Sequence, residues 1–254
     1  MAITVSLIEY ANTIPFEFGI QNNSFLREHS SFVSHYPAEA AQHMKDGMVD
    51  VSIMPVAAIP EVPGAQIISP FCIAAKGSVD SVLLCSHKPL SQISSILLDY
   101  QSRTSNLLVQ ILAYKLWDIR PRFISGKYST FLQEQEHDAR VIIGDRALDA
   151  LENKSYPYMY DLAQAWYDLY ALPFVFACWV SNTRLPDSYL SEFNNSLQHG
   201  ITHIDEAITT TNKAYSFDLY NYLHCKIMYT LSYSVQDILD IFYADARNLP
   251  HIVV

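Results

Sequence analysis

The sequence predicts an α/β fold in two lobes, and three observations carry that prediction. Short apolar strands alternate with helical segments along the chain, which indicates strands in a mixed, mostly parallel sheet flanked by helices. Several of those strands run through a polar turn straight into a helix start. Two long apolar strands, at 78–86 and 172–181, bracket the middle of the chain without any Gly-rich linker. If both cross between lobes, residues 1–83 with 181–254 form one lobe and 84–180 the other, with a ligand cleft between them.

Taken in order, Ile3–Ile8 is a strand followed by the polar turn 9–13 and a helix start at Ile14-Pro15-Phe16. Proline is tolerated there because its missing N–H had no partner in a first helical turn, which makes Asn12 or Thr13 the expected cap. A weak strand at 31–35 precedes a helix at Pro37–Lys45 and a buried strand at 48–55 that stops at Pro55. Strands at 65–75 and 78–86 follow.

Residues 96–117, ILLDYQSRTSNLLVQILAYKLW, form the central strand, loop and helix. Leu107, Leu108, Ile111, Leu112 and Leu116 recur at the spacing of a half-buried helix. Ser102, Thr104 and Ser105 at its start satisfy amides that lack an intrahelical partner, and the positive end of the helix dipole draws anions. Arg103 adds a forked donor suited to a carboxylate. An ordinary capped surface helix would carry the same spacing, so the loop alone does not define a site.

Beyond it come a short strand at Arg122–Ile124, a helical stretch at 130–136, and a buried strand at 139–143 that turns through Gly144 and Asp145 into a helix. Glycine there lets the backbone turn sharply or approach a ligand. A helix at 161–170 leads into the apolar strand 172–181, and the remainder reads as helices at 186–209, 217–224 and Val235–Arg247.

Composition narrows the function. The 254 residues carry a formal charge of −10, which argues against nucleic acid, whose phosphates require clustered Lys and Arg. An anionic ligand would therefore be gripped locally. Cys72, Cys85, Cys178 and Cys225 lie far apart in apolar runs, as expected of buried free thiols in a reducing compartment. Neither a signal-peptide pattern nor a membrane span is evident, so a cytoplasmic location, with no membrane partner and a monomer or homodimer, is expected.

Seven phrases then fall in the order and spacing of one family: YANTIPF at 10–16, GMVDVSIMP at 47–55, SVLLCS at 81–86, LDYQSRTS at 98–105, VIIGDRAL at 141–148, YDLAQAWYDLYALPFVFACWV at 160–180 and HGITHIDEAI at 199–208. Together they resemble the chorismate dehydratase of the futalosine route to menaquinone. The resemblance covers nearly the whole chain. It implies a two-lobed fold similar to type 2 periplasmic solute-binding proteins, no cofactor or metal, and conversion of chorismate to 3-[(1-carboxyvinyl)oxy]benzoate and water. Family positions carried over are Asn12 and Ser81 as catalytic groups. Thr13, Pro55, Ser102, Arg103, Thr104, Ser105, Gly144 and Asp145 are the expected substrate contacts.

These residues suit the chemistry. Chorismate has two carboxylates, which match two helix starts, near Asn12 and near Thr104. Loss of the C3 hydrogen and the C4 hydroxyl yields an aromatic ring, so modest groups that hold the conformer and stabilise developing charge suffice. No histidine lies in the phrases expected to form the cleft, and the substrate's own enolpyruvyl carboxylate is the implied proton acceptor. The chain departs from the family pattern at Ala11, Thr13, Val56 and Tyr100-Gln101, and Val56 and Gln101 are the positions where ligand choice would change.

Three other constellations compete. His199 and His203 with Asp205 suggest a metal pair, but the third ligand and the helical Glu of zinc proteases are missing. Cys85 beside His87 suggests a nucleophile, yet a strand-end cysteine in an apolar run is more often inert. The aromatic run from Tyr156 to Tyr170 suits a core better than a stacking platform. The alternative functions are a non-catalytic small-anion-binding protein and the related 1,4-dihydroxy-6-naphthoate synthase of the same pathway.

Overall fold

The computed structural model describes residues 2–125 and 137–253, and the helix expected at 130–136 lies outside them. The chain divides into two compact units, Met1–Ala74 with Phe176–Leu231 and Ala75–Val175 with Ser232–Val254. The chain thus changes unit near 75 and 176, several residues before the strand-based boundaries, and residues 232–253 return to the second unit. The expectation that the whole helical tail joins the first lobe differs from this division.

The first unit is built on a six-stranded sheet in the order β11-β4-β10-β3-β1-β2, comprising β1 (Ile3–Ile8), β2 (Ser30–His35), β3 (Val51–Pro55), β4 (Gln66–Ala75), β10 (Phe174–Ser181) and β11 (Met228–Thr230). β3 is buried along its whole length, because it has β1 on one side and β10 on the other. Its mostly apolar run, interrupted only by the buried Ser52, follows from that position. β2 is an edge strand and mostly exposed, which is why its sequence signal is weak. Helices α1 (Ile14–Gln21), α2 (Ser24–His29) and α3 (Pro37–Lys45) alternate with the first strands.

α1 lies backbone to backbone against α7 (Asp187–Thr202). A Cβ on Gly19 would sit 1.9 Å from the Ser196 carbonyl oxygen, and one on Gly200 would sit 1.8 Å from that of Pro15. Glycine is required at both positions by this approach. Trp179 anchors the core beside them, edge-on to Phe16 and Phe193 at 5.7 and 5.0 Å between ring centroids. The helix expected over 186–209 breaks at His203 (φ −122°, ψ 39°) into α7 and α8 (Ile204–Thr210).

The second unit has a five-stranded sheet in the order β7-β6-β8-β5-β9: β5 (Val82–Ser86), β6 (Ser95–Leu97), β7 (Arg122–Ile124), β8 (Ala139–Ile143) and β9 (Tyr158–Asp161). Its helices among the described residues are α4 (Thr104–Lys115), α5 (Asp145–Glu152), α6 (Leu162–Tyr170) and α9 (Val235–Arg247). The strand expected at 78–86 starts only at Val82, because 78–81 form a turn with Asp80 at φ 65°. β9, hidden in the aromatic run, pairs antiparallel with β5 and was not evident from the sequence.

α9 is held in this unit by the buried Asp245, which accepts Lys115 Nζ at 2.5 Å and the Tyr170 hydroxyl. The fully buried Gln110 side chain donates to the Val253 carbonyl at 2.8 Å and accepts its N–H at 3.0 Å. Trp166, Phe174 and Phe242 interlock edge-on beneath these bonds. In both sheets parallel pairs (β1 with β2 and β3, β6 with β7 and β8) stand beside antiparallel ones (β10 with β3, β5 with β8 and β9). The expected predominance of parallel pairing gives way to a mixed pattern, since β5 and β10 each enter their sheet in reverse direction.

Candidate functional site

In the second unit, parallel β6 and β8 end at one edge of the sheet, and β5, antiparallel to β8, begins there. Loops at the carboxyl ends of strands are where open α/β sheets hold ligands. Three segments gather at that edge: the turn 78–81, the loop 99–105 and residues 144–146.

Asp99 organises the second and third segments. Its carboxylate is fully buried, and Arg146 Nη2 donates to both of its oxygens at 2.9 and 2.8 Å and to Gln101 Oε1 at 2.6 Å. The Gln101 amide donates at 2.9 Å and that of Ile143 at 3.3 Å. Burial pushes the Asp99 carboxyl above the ordinary value, and the Arg146 guanidinium and the two amides oppose that rise. Asn106 closes the loop from within the helix: its Oδ1 accepts the Asp99 N–H at 2.9 Å, and its Nδ2 donates to the carbonyls of Asp99 and Ser102.

The loop residues Ser102, Thr104 and Ser105 are buried and Arg103 is half-buried. Ser102 Oγ accepts the Ser105 N–H at 3.0 Å, so the predicted serine cap exists and takes one amide of the helix start. Gly144 has φ 64°, and its N–H donates to the Ser81 carbonyl at 2.8 Å. A side chain would be strained there. Asp145 opens α5, half-buried, and Ser81 is buried. Ser81, the 102–105 loop, Gly144 and Asp145 are therefore brought together.

The first unit repeats this arrangement with β1 and β3. Its loop after β1 makes a short 3₁₀ turn, Ala11–Thr13, into α1. The predicted cap is absent, since Thr13 has no cap bond; its hydroxyl donates back to the Ile8 carbonyl at 2.5 Å and to that of Tyr10 at 2.8 Å. Thr13 thereby fixes the loop that presents Asn12. The half-buried Asn12 accepts the Tyr229 hydroxyl on its carbonyl at 3.0 Å, and its side-chain amide makes no hydrogen bond among the described residues. Pro55 ends β3 opposite Ala177, and Val56 beyond it is fully buried.

Sequence reasoning missed Asp99, Asn106, Arg146 and Asp161 as supports of these loops. Asp99 closing an apolar strand and Arg146 inside IGDRAL were the available signals. The competing constellations gain nothing. Among the described residues no three His, Cys, Asp or Glu are placed to hold a metal, and His203 Nδ1 is hydrogen-bonded to the His199 carbonyl. The Cys85 thiol is buried and pushed up to about 12, far from a nucleophile's range. A hollow of ≈ 470 Å³ lined by Lys88, Ser94, Arg122, His137 and Asp138 lies at the opposite edge, where β8 begins, away from these loops. Cys225 is exposed rather than buried.

A family model described as "Menaquinone biosynthesis" matches residues 3–248. Among solved structures, the chain is similar to protein AF1704 from Archaeoglobus fulgidus (15% identity, 97% of each chain covered, TM-score 0.72). It is similar too to the Candida albicans CA3427 gene product, described as having the generic periplasmic binding protein structural fold (13% identity, 96% of this chain and 90% of that one, TM-score 0.62). A third is the periplasmic aliphatic sulphonate binding protein SsuA from Escherichia coli (14% identity, 99% and 94% covered, TM-score 0.56). At these identities the likeness establishes the periplasmic-binding-protein-like fold. No helix among the described residues is long and apolar enough to cross a membrane.

Proposed function

The chain belongs to the menaquinone biosynthesis family, and from that premise we propose that it is a chorismate dehydratase. The observation that carries the reading is the convergence of Ser81, the Ser102–Ser105 loop and Gly144-Asp145 at one strand edge, where two helices begin. Such an edge favours a carboxylate. Asn12, whose side-chain amide makes no hydrogen bond among the described residues, is the corresponding group of the first unit.

In the proposed reaction the enolpyruvyl carboxylate of the substrate removes the C3 proton. The C–H electron pair enters the diene, where the ring carboxylate helps to delocalise it. The C4–O bond then breaks, the hydroxyl leaves with a proton as water, and the ring becomes aromatic. Ser81 and Asn12 orient the substrate, and the loop at 102–105 holds a carboxylate. The residues supply position and hydrogen bonds rather than a general base.

Incubation of purified protein with chorismate, followed by absorbance and mass of the aromatic product, tests the reading. Conversion is expected in the wild type, with turnover reduced by about 10-fold or more in Asn12→Ala and in Ser81→Ala. Binding without conversion would instead support a non-catalytic anion-binding role, in line with the likeness to the sulphonate binding protein SsuA. Near-full turnover in both variants would remove these two residues from the reaction.

A further inference from the structure

Ser81 follows a residue in an unfavourable conformation. Asp80 has φ 65°, a left-handed region that non-glycine residues seldom enter and that persists only where the surroundings enforce it. One carboxylate holds two successive amides of this turn. Asp161 Oδ2 accepts the Val79 N–H at 2.9 Å and the Asp80 N–H at 2.6 Å. Its Oδ1 accepts the N–H groups of Ala163 and Gln164 at 2.9 and 3.0 Å, capping α6.

A cap needs only one oxygen, and serine supplies it. The second oxygen serves the turn alone. Ser78 adds its hydroxyl to the Asp80 carboxylate, and beyond the turn the Ser81 carbonyl receives the Gly144 N–H. The chain of bonds therefore runs from the start of α6 through Asp80 to Ser81 and on to the helix-opening glycine of α5.

We propose that Asp161 is a positioning residue for Ser81: it holds Asp80 left-handed so that the serine is presented from a fixed backbone. This role rests on the reading of Ser81 as a substrate-touching group. Glycine adopts a φ of this sign without steric cost, so Asp80→Gly lessens the need for the clamp.

Three proteins test the assignment: Asp161→Ser, which keeps a cap for α6 and cannot reach the turn amides with a second oxygen; Asp80→Gly; and the double variant. In Asp161→Ser, amide exchange at Val79 and Asp80 should quicken by about 10-fold while α6 amides stay protected. Chorismate turnover should fall by about 10-fold, and Asp80→Gly added to it should recover at least about 3-fold. A purely helix-capping role would leave the turn amides protected and give no recovery in the double variant, and either result overturns the proposal. If Asp161→Ser does not fold, Asp161→Thr takes its place under the same criteria, because its single hydroxyl oxygen also caps α6 and leaves the turn amides without an acceptor. The exchange arm requires no substrate, so a wild type inert toward chorismate would sink the dehydratase reading and still leave the clamp to be decided by exchange.

Discussion

Replacing Arg146 by Met keeps most of the side chain's apolar length and removes the guanidinium bonded to Asp99. Asp99 would retain the amides of Gln101 and Ile143 and lose the contacts at 2.8 and 2.9 Å. Breaking one partner of a buried pair leaves an uncompensated charge. Because about a third of the Arg146 side chain remains in water (32%), a value of about 3 kcal/mol, the low end for such pairs, is expected at pH 8. The sign of the pH dependence follows from burial. Asp99 already sits above the ordinary carboxyl value, and losing the guanidinium raises it further. The folded protein then holds this proton more tightly than the unfolded chain, so the group's contribution is most favourable below the unfolded value and is lost as pH rises through the folded one. The deficit of Arg146→Met should therefore shrink between pH 8 and pH 5. Urea denaturation at both pH values, followed by tryptophan fluorescence, measures it. The double variant Asp99→Asn, Arg146→Met should recover about half of the loss, because no charge stays buried. A deficit below about 1 kcal/mol at pH 8, or one independent of pH, would refute the reasoning.

Other predictions follow from packing and burial. Gly200→Ala places a Cβ 1.8 Å from the Pro15 carbonyl oxygen, a backbone atom that cannot swing aside, so a loss of about 3 kcal/mol is expected in denaturation; a melting curve like that of the wild type would show that α1 and α7 yield easily. A thiol reagent on the native protein should label Cys225 alone at first, since Cys72 and Cys85 are buried with thiols pushed up to about 12 and Cys178 is raised further by burial. Mass analysis showing Cys85 labelled as fast as Cys225 would contradict the burial.

The loops of the candidate site were legible to different degrees. Ser102 as a cap and Gly144 as a turn residue could be read locally, because caps and left-handed turns are set by neighbours a few residues away. Thr13 illustrates the limit: the residue type suits a cap, yet its hydroxyl turns back to Ile8 and Tyr10. In the sequence Asp99 merely closes an apolar run and Asp161 merely opens a helix. Their distant partners lie 47 and 81 or 82 positions away, and nothing local announces such pairs.

By itself the sequence determined the alternating elements, since burial period and helix-start chemistry are local properties: Ile3–Ile8, Pro37–Lys45 and Val235–Arg247 fall where it places them. Tertiary structure alone decided which neighbours each strand takes, that α9 returns to the second unit through Lys115 and Asp245, and that β9 exists at all. It also decided that one carboxylate serves both a helix and the turn before Ser81. Those outcomes depend on groups far apart in the chain becoming adjacent only once the sheets have formed, and the linear pattern of polar and apolar residues does not encode such pairings one by one.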